Sequence, residues 1–222
     1  MATLEGHLTK LQAVNDMLWS IGETPVQSLN SGLGDAEQAE AILDRMSRQV
    51  QLKGWHCNTL RNYELSKNGS NQFVLPVNTL RVDTVNPRGG WRRTATPPHS
   101  ARINAIMKRS EDDTKWLMYD GDNNTETWTS SDPATLNVDI VLLLEFANLT
   151  PALQHYVWTM AAHRFQKGAM ASAFVQKMTA EDVAEAMIQA VQEDTMNEDD
   201  NIINDNGHVN SVAWRNNPLY GK

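Results

Sequence analysis

The chain has a single cysteine, Cys57, which excludes an intrachain disulfide framework and fits a reducing compartment. Long apolar runs are also missing. None approaches the roughly 20 residues needed to span a bilayer, and the opening MATLEGHLTK has no basic region leading into an apolar one. The expectation is a soluble chain with no signal peptide and no membrane insertion. Positive charge is scarce as well: 19 Lys and Arg against 27 Asp and Glu leave a net charge of −8. That balance disfavours broad nonspecific nucleic-acid binding, which needs basic side chains to displace counterions from phosphate. The chain also lacks a GKS or GKT phosphate loop, a zinc-finger spacing and a recognition helix.

The charge that is present is distributed unevenly. Between Arg81 and Arg109 lie seven basic residues against the single acid Asp83, whereas Glu193 to Asp205 holds six acids and no base. Two readings stand side by side: solvated loops of uneven composition, or patches matched to partner surfaces, where complementarity sets register and encounter rate more than affinity.

Two N-terminal segments carry helical signals. Thr9 is placed to cap a helix whose apolar positions Leu11, Val14, Leu18 and Ile21 follow the helical period, with Gly22 as its stop. Asp35 is the expected cap of a second helix with Ala39, Ile42, Leu43, Met46 and Val50 on one face and Gly54 beyond its end. The segments 72–77, 79–85, 101–107, 115–119 and 138–146 then read as strands separated by Gly, Pro and Asn-rich turns. Helical character returns at Thr150-Pro151, with Leu153, Tyr156, Val157, Met160, Ala161 and Phe165 on one face. A last helix is expected from Thr179, with Val183, Met187, Ala190 and Val191 buried.

This pattern predicts an α+β fold: an antiparallel four-helix bundle with an inserted, mostly antiparallel β region and an extended C-terminal arm. The expected divisions are residues 1–57 for the first helical pair and 58–148 for the β region, followed by 149–196 for the second pair and 197–222 for the arm. The arm's Val212, Trp214, Leu219 and Tyr220 are apolar groups on a polar stretch. Docking on another subunit, docking on its own domain and disorder all stay open for it.

Signals for chemistry are weak. Asp120, Asp122, Asn124 and Glu126 alternate oxygen ligands like a calcium loop, but Thr125 stands where a sharp-turn glycine belongs and Ser131 where a bidentate Glu belongs. The same acids, near Trp116 and Trp128, motivate an alternative reading as a glycan hydrolase, because glycoside hydrolysis needs two carboxylates across a sugar. His155 and His163 fall about 80° apart around their helix and lack the four-residue spacing of helical zinc sites. His56 and Cys57 are adjacent, so in an extended segment their side chains point to opposite faces. No catalytic residue, metal site or cofactor is expected, and the chain is read as a non-enzyme.

Binding signals are better defined. Arg45, Arg48, Gln49 and Gln51 flank the apolar stripe of the second helix, where Arg can both bury its stem and direct a hydrogen bond. Gly89-Gly90-Trp91-Arg92-Arg93, with nearby Arg88, offers cations for phosphate or for an acidic partner, and transient nonspecific contact with passing DNA is compatible with it.

In the blocks AVNDMLWSIGETPV at 13–26, AILDRMSRQVQLKGWHCNT at 41–59, NQFVLPVNTLRVD at 71–83 and HYVWTMAAHRFQ at 155–166, the chain resembles the tail tubular protein A family, the head-to-tail adaptors of short-tailed (T7-like) bacteriophages. The order and spacing of these blocks extend the match over nearly the whole chain, and the first two are the specific ones. The resemblance implies a structural virion protein made in the host bacterial cytoplasm and assembled as a twelve-copy ring at the portal-nozzle junction. It implies a ring that lines part of the DNA ejection channel, with a helical part toward the portal and a β-rich part toward the nozzle. Under it, Arg45, Arg48, Gln49, Trp214, Arg215, Leu219 and Tyr220 are subunit or portal interface candidates. Arg88, Arg92 and Arg93 are candidates for a charged-partner or channel surface.

Overall fold

A computed structural model of the chain describes residues 6–30, 32–84, 105–129, 134–169 and 173–198, with side chains in the last segment described for 180–197. Its described elements are helices α1 (Lys10–Ser20), α2 (Gly34–Gln51), α3 (Pro151–Ala169) and α4 (Ala173–Glu198) and strands β1 (Thr59–Ser66), β2 (Phe73–Val74), β3 (Thr79–Thr84), β4 (Ala105–Arg109), β5 (Trp116–Asp120) and β6 (Thr135–Leu142). Two compact units divide them. The first comprises the described residues through Leu60, Asn78–Arg81 and Val141–Asn197, and the second comprises Arg61–Val77 and Val82–Ile140.

In the first unit, α1 begins where Thr9 closes a capping box: its hydroxyl accepts from the Gln12 backbone N–H at 3.2 Å, and the Thr9 N–H donates to Gln12 Oε1 at 2.9 Å. The helix ends as Leu18 O accepts from both Ile21 N and Glu23 N, with Gly22 in the left-handed region at φ 85°. Its buried face is Ala13, Val14, Met17 and Leu18, while Leu11 and Ile21 sit at the rim. α2 starts one residue before the expected cap. Leu33 is its N-cap without a side-chain bond, and Asp35 lies inside the first turn, where its charge complements the helix dipole.

The expected antiparallel four-helix bundle does not form. α1, α2 and α3 pack pairwise around one core with Trp55, Phe146 and Leu149. Among the described side chains of α4, Ala186 and Ala190 are buried, with Val183 at the edge. Over that stretch two methyl groups supply too little apolar area for an equal fourth wall. α4 also starts six residues upstream of Thr179, at Ala173.

Three buried amides tie distant segments of this unit together. Gln51 donates to Ser47 Oγ and Leu144 O and accepts from Leu144 N at 2.8 Å. Gln154 accepts from Leu8 N at 2.9 Å and donates to Phe146 O at 2.9 Å. Asn58 accepts from Trp55 N and donates to Gln51 O and Leu142 O. Gln51, expected beside Arg48 on the flank of the helix, is instead fully buried.

The six strands among the described residues form two three-stranded antiparallel sheets, in the orders β1-β6-β3 and β2-β5-β4. In the second sheet Phe73 pairs with Met118 and Met107 with Met118, so β5 is central. Among the described residues of the second unit, Leu65, Phe73, Leu75, Leu117, Met118, Trp128, Leu136, Val138 and Ile140 are buried apolar groups. The expected strand at 72–77 shrinks to Phe73–Val74, ending ahead of Pro76, which has no N–H for a ladder. Residues 101–104 and the expected arm at 197–222, beyond Glu198, lie outside the described residues.

Candidate assembly surfaces

The outward face of α2 is built by helical spacing. With Ala36, Ala39, Leu43, Met46 and Val50 buried, positions 41, 45, 48 and 52 fall on the opposite side. Ala41, Arg45, Arg48 and Gln49 are exposed there, and Leu52 is 48% exposed at the helix end. Neither guanidinium has an ion-pair partner among the described residues. Two of the four acids of α2 are held by Lys10, which reaches Glu40 and Asp44 at 2.8 Å each, while Asp35 and Glu37 are exposed in the first turn. Burial lowers the Lys10 pKa, but its bonds to those two carboxylates outweigh this and hold it above its ordinary value. The structure thus places Arg45, Arg48 and Gln49 together on one solvent face. Trp214, Arg215, Leu219 and Tyr220, like Arg88, Arg92 and Arg93, lie outside the described residues.

The second surface was missed by sequence reasoning. Met187 and Val191, expected in the buried stripe of α4, are 39% and 38% exposed, and Ile188 is 57% exposed. Together with exposed Ala180 and Ala184 they repeat at i, i+4, i+7, i+8 and i+11. This is an amphipathic stripe, turned by roughly 120° from the Ala186–Ala190 seam at about 100° per residue. α4 therefore carries two apolar faces, a narrow one used within the unit and a broader one facing solvent. The available signal was the pair of alanines four residues apart, which let a helix lie close against a neighbour while the larger side chains turn outward.

On the side of α4 turned away from this stripe, α3 and α4 form a groove of about 280 Å³ lined by His155, Trp158, Thr159, Asp182, Glu185 and Gln189. The His155 and Trp158 rings lie 5.5 Å apart, and the buried Trp158 indole N–H has no acceptor among the described residues. The groove's charge is acidic. Cys57 lies apart from it, half-buried, with its thiol pushed up chiefly by burial, while Asp194 is engaged by the His56 N–H at 2.7 Å.

The acids of the β region have structural work. Asp120 and Thr125 close a hairpin through reciprocal backbone bonds, and Asn124 takes a left-handed φ of 53° in its turn. Burial pushes the Asp120 carboxyl up, but hydrogen bonds from the Asn123 side chain and the Asn123 and Asp122 backbones outweigh that and hold it below the ordinary range. A general acid needs the opposite shift. Glu126 accepts from the Glu111 N–H at 2.6 Å, and Trp128 is a core residue whose indole donates to Met118 O and meets Phe73 edge to face at 5.3 Å. These groups brace a turn and fill a core, so the geometry gives the glycan-hydrolase alternative no support.

Among the described residues no helix is long and apolar enough to cross a membrane. A family model described as "Tail tubular protein" matches residues 11–200, which places the chain among the structural proteins of bacteriophage tails. The chain belongs to the tail tubular protein family and is a component of the virion tail. No curated protein sequence matches it.

Proposed function

We propose that the chain is the head-to-tail adaptor of a short-tailed phage, a twelve-copy ring that joins the portal to the tail nozzle and surrounds the channel through which DNA leaves. The observation that carries this reading is the presence of two unlike uncovered helix faces in the first unit, one basic on α2 and one apolar with acidic flanks on α4. Unlike faces favour head-to-tail contacts, and such contacts generate rings when the rotation closes. Family membership gives the tail location, and the resemblance carried by the two N-terminal blocks motivates the adaptor role.

In this reading residues 1–57 and 149–196 form the ring body toward the portal, 58–148 present the nozzle-facing surface, and 197–222 attach to the portal through Trp214, Arg215, Leu219 and Tyr220. Arg88, Arg92 and Arg93 serve a charged partner or the channel wall, where contact with passing DNA is transient and independent of sequence. Twelve copies multiply modest individual contacts, so durability needs no catalysis. A twelvefold portal and a sixfold nozzle further require paired subunits to present nonequivalent loops to one nozzle chain. The test is light-scattering mass of the purified protein, alone and mixed with its cognate portal ring. A stable twelve-copy addition supports the adaptor role, and no association with a verified intact portal overturns it.

A further inference from the structure

We infer that the outer stripe of α4 seats a second copy of this chain, entered through that copy's α2 face bearing Arg45, Arg48 and Leu52; the inference rests on the ring reading above. The stripe of Met187, Ile188 and Val191 is continuous along the helix and exposed. A contiguous apolar surface rimmed by polar residues marks an interaction site more often than isolated exposed hydrophobics do.

Charge selects the occupant. By helical spacing the stripe is flanked on one side by Glu181 and Glu185, both exposed. Two α4 helices meeting through the same stripe would bring these acids against their counterparts, and like charges opposed across an interface are unfavourable. Complementary charge on α2 comes from Arg45 and Arg48 toward its C-terminal half, with exposed Glu37 one turn before Ala41. Arg45 and Arg48 stand on either side of an Ala41–Leu52 line, so the apolar residues can meet the stripe while the guanidiniums reach the carboxylates. Each copy then uses its α4 toward one neighbour and its α2 toward the other, a heterologous contact that leaves one unsatisfied face at each end until the assembly closes.

Two double charge reversals test this, Glu181→Arg with Glu185→Arg, and Arg45→Glu with Arg48→Glu, together with the quadruple variant that combines them. Each is mixed with the cognate portal ring, and the added mass is read by light scattering. The expected result is normal addition by wild type, a loss of roughly tenfold or more in assembled fraction for each double variant, and recovery in the quadruple variant. Undiminished addition by the double variants overturns the inference and leaves the adaptor reading standing, with the stripe then open to the chain's own 199–222 segment or to the portal. Failure of the quadruple variant to recover likewise overturns this pairing of faces. If wild type itself does not add to an intact portal, the adaptor reading fails and takes the inference with it. A second measurement does not depend on charge reversal: Leu52→Cys and Ile188→Cys in a Cys57→Ala chain, treated on the portal with a short bifunctional maleimide, should give a ladder of covalent oligomers. Absence of the ladder on an assembled ring counts against the contact.

Discussion

At the scale of single residues, the first unit depends on a few buried amides as much as on its apolar contacts. Gln51 satisfies both backbone groups of Leu144, a residue 93 positions away, and spends its remaining donor on Ser47. Gln51→Leu keeps the volume but strands the Leu144 N–H and C=O, so the expected loss is about 1–3 kcal/mol, read as a lower urea midpoint with an unchanged slope. Asp120 gives a pH-dependent counterpart in the second unit. Its folded pKa lies below the ordinary value, so its contribution is fully present above the unfolded value of about 3.9 and is lost as pH falls through the folded value. Asp120→Asn should therefore lower stability at neutral pH and flatten the acid limb of the melting-temperature profile. An acid limb as steep as wild type would show that other carboxylates govern it.

At the scale of elements, α4 separates two kinds of apolar surface on one helix. The Ala186–Ala190 seam is closed, and Ala186→Leu overpacks it at an expected cost of about 1–3 kcal/mol to the folded protein. Ile188→Ser changes the open stripe and should leave the thermal midpoint within the range of ordinary surface substitutions, about ±0.5 kcal/mol. Thermal unfolding of both variants checks the contrast, and equal losses would mean that the stripe is covered within the chain. The same helix shows why part of the fold was hard to read. α1 was legible because Thr9 and Gly22 mark its two ends, and β5 because an apolar run sits between turns. α4 carries two apolar stripes, and the larger residues drew the assignment to the wrong one. β1 escaped because only Leu65 of its eight residues is buried, so no alternation of apolar residues announces it. Of the candidate site, Arg45, Arg48 and Gln49 were legible as flanking the apolar stripe of α2, whereas Gln51, read with them, is buried, and the α4 stripe required knowing which of its faces the core already used.

At the scale of the whole molecule, a net charge of −8 sets copies of the chain against one another unless opposite charges meet locally. The proposed contact resolves this by placing the basic face of α2 against the acidic flank of α4, and it makes assembly sensitive to salt in a defined way. Between low and high ionic strength the screening length falls from about 30 Å at 0.01 M to about 3 Å at 1 M. Attraction between the two faces during encounter is lost over that range, while contacts already desolvated are screened much less. Addition to the portal should therefore slow as salt rises, while rings formed at low salt persist after transfer to high salt. Time-resolved light scattering after mixing measures the rate, and sedimentation after transfer measures persistence. A chain carrying Arg45→Gln and Arg48→Gln should assemble slowly at every ionic strength, with a much flatter salt dependence, because the charges that steer the encounter are gone. If that variant keeps the full salt dependence of wild type, the steering charges lie elsewhere, and the basic span around Arg92 and Arg93 becomes the next place to neutralise.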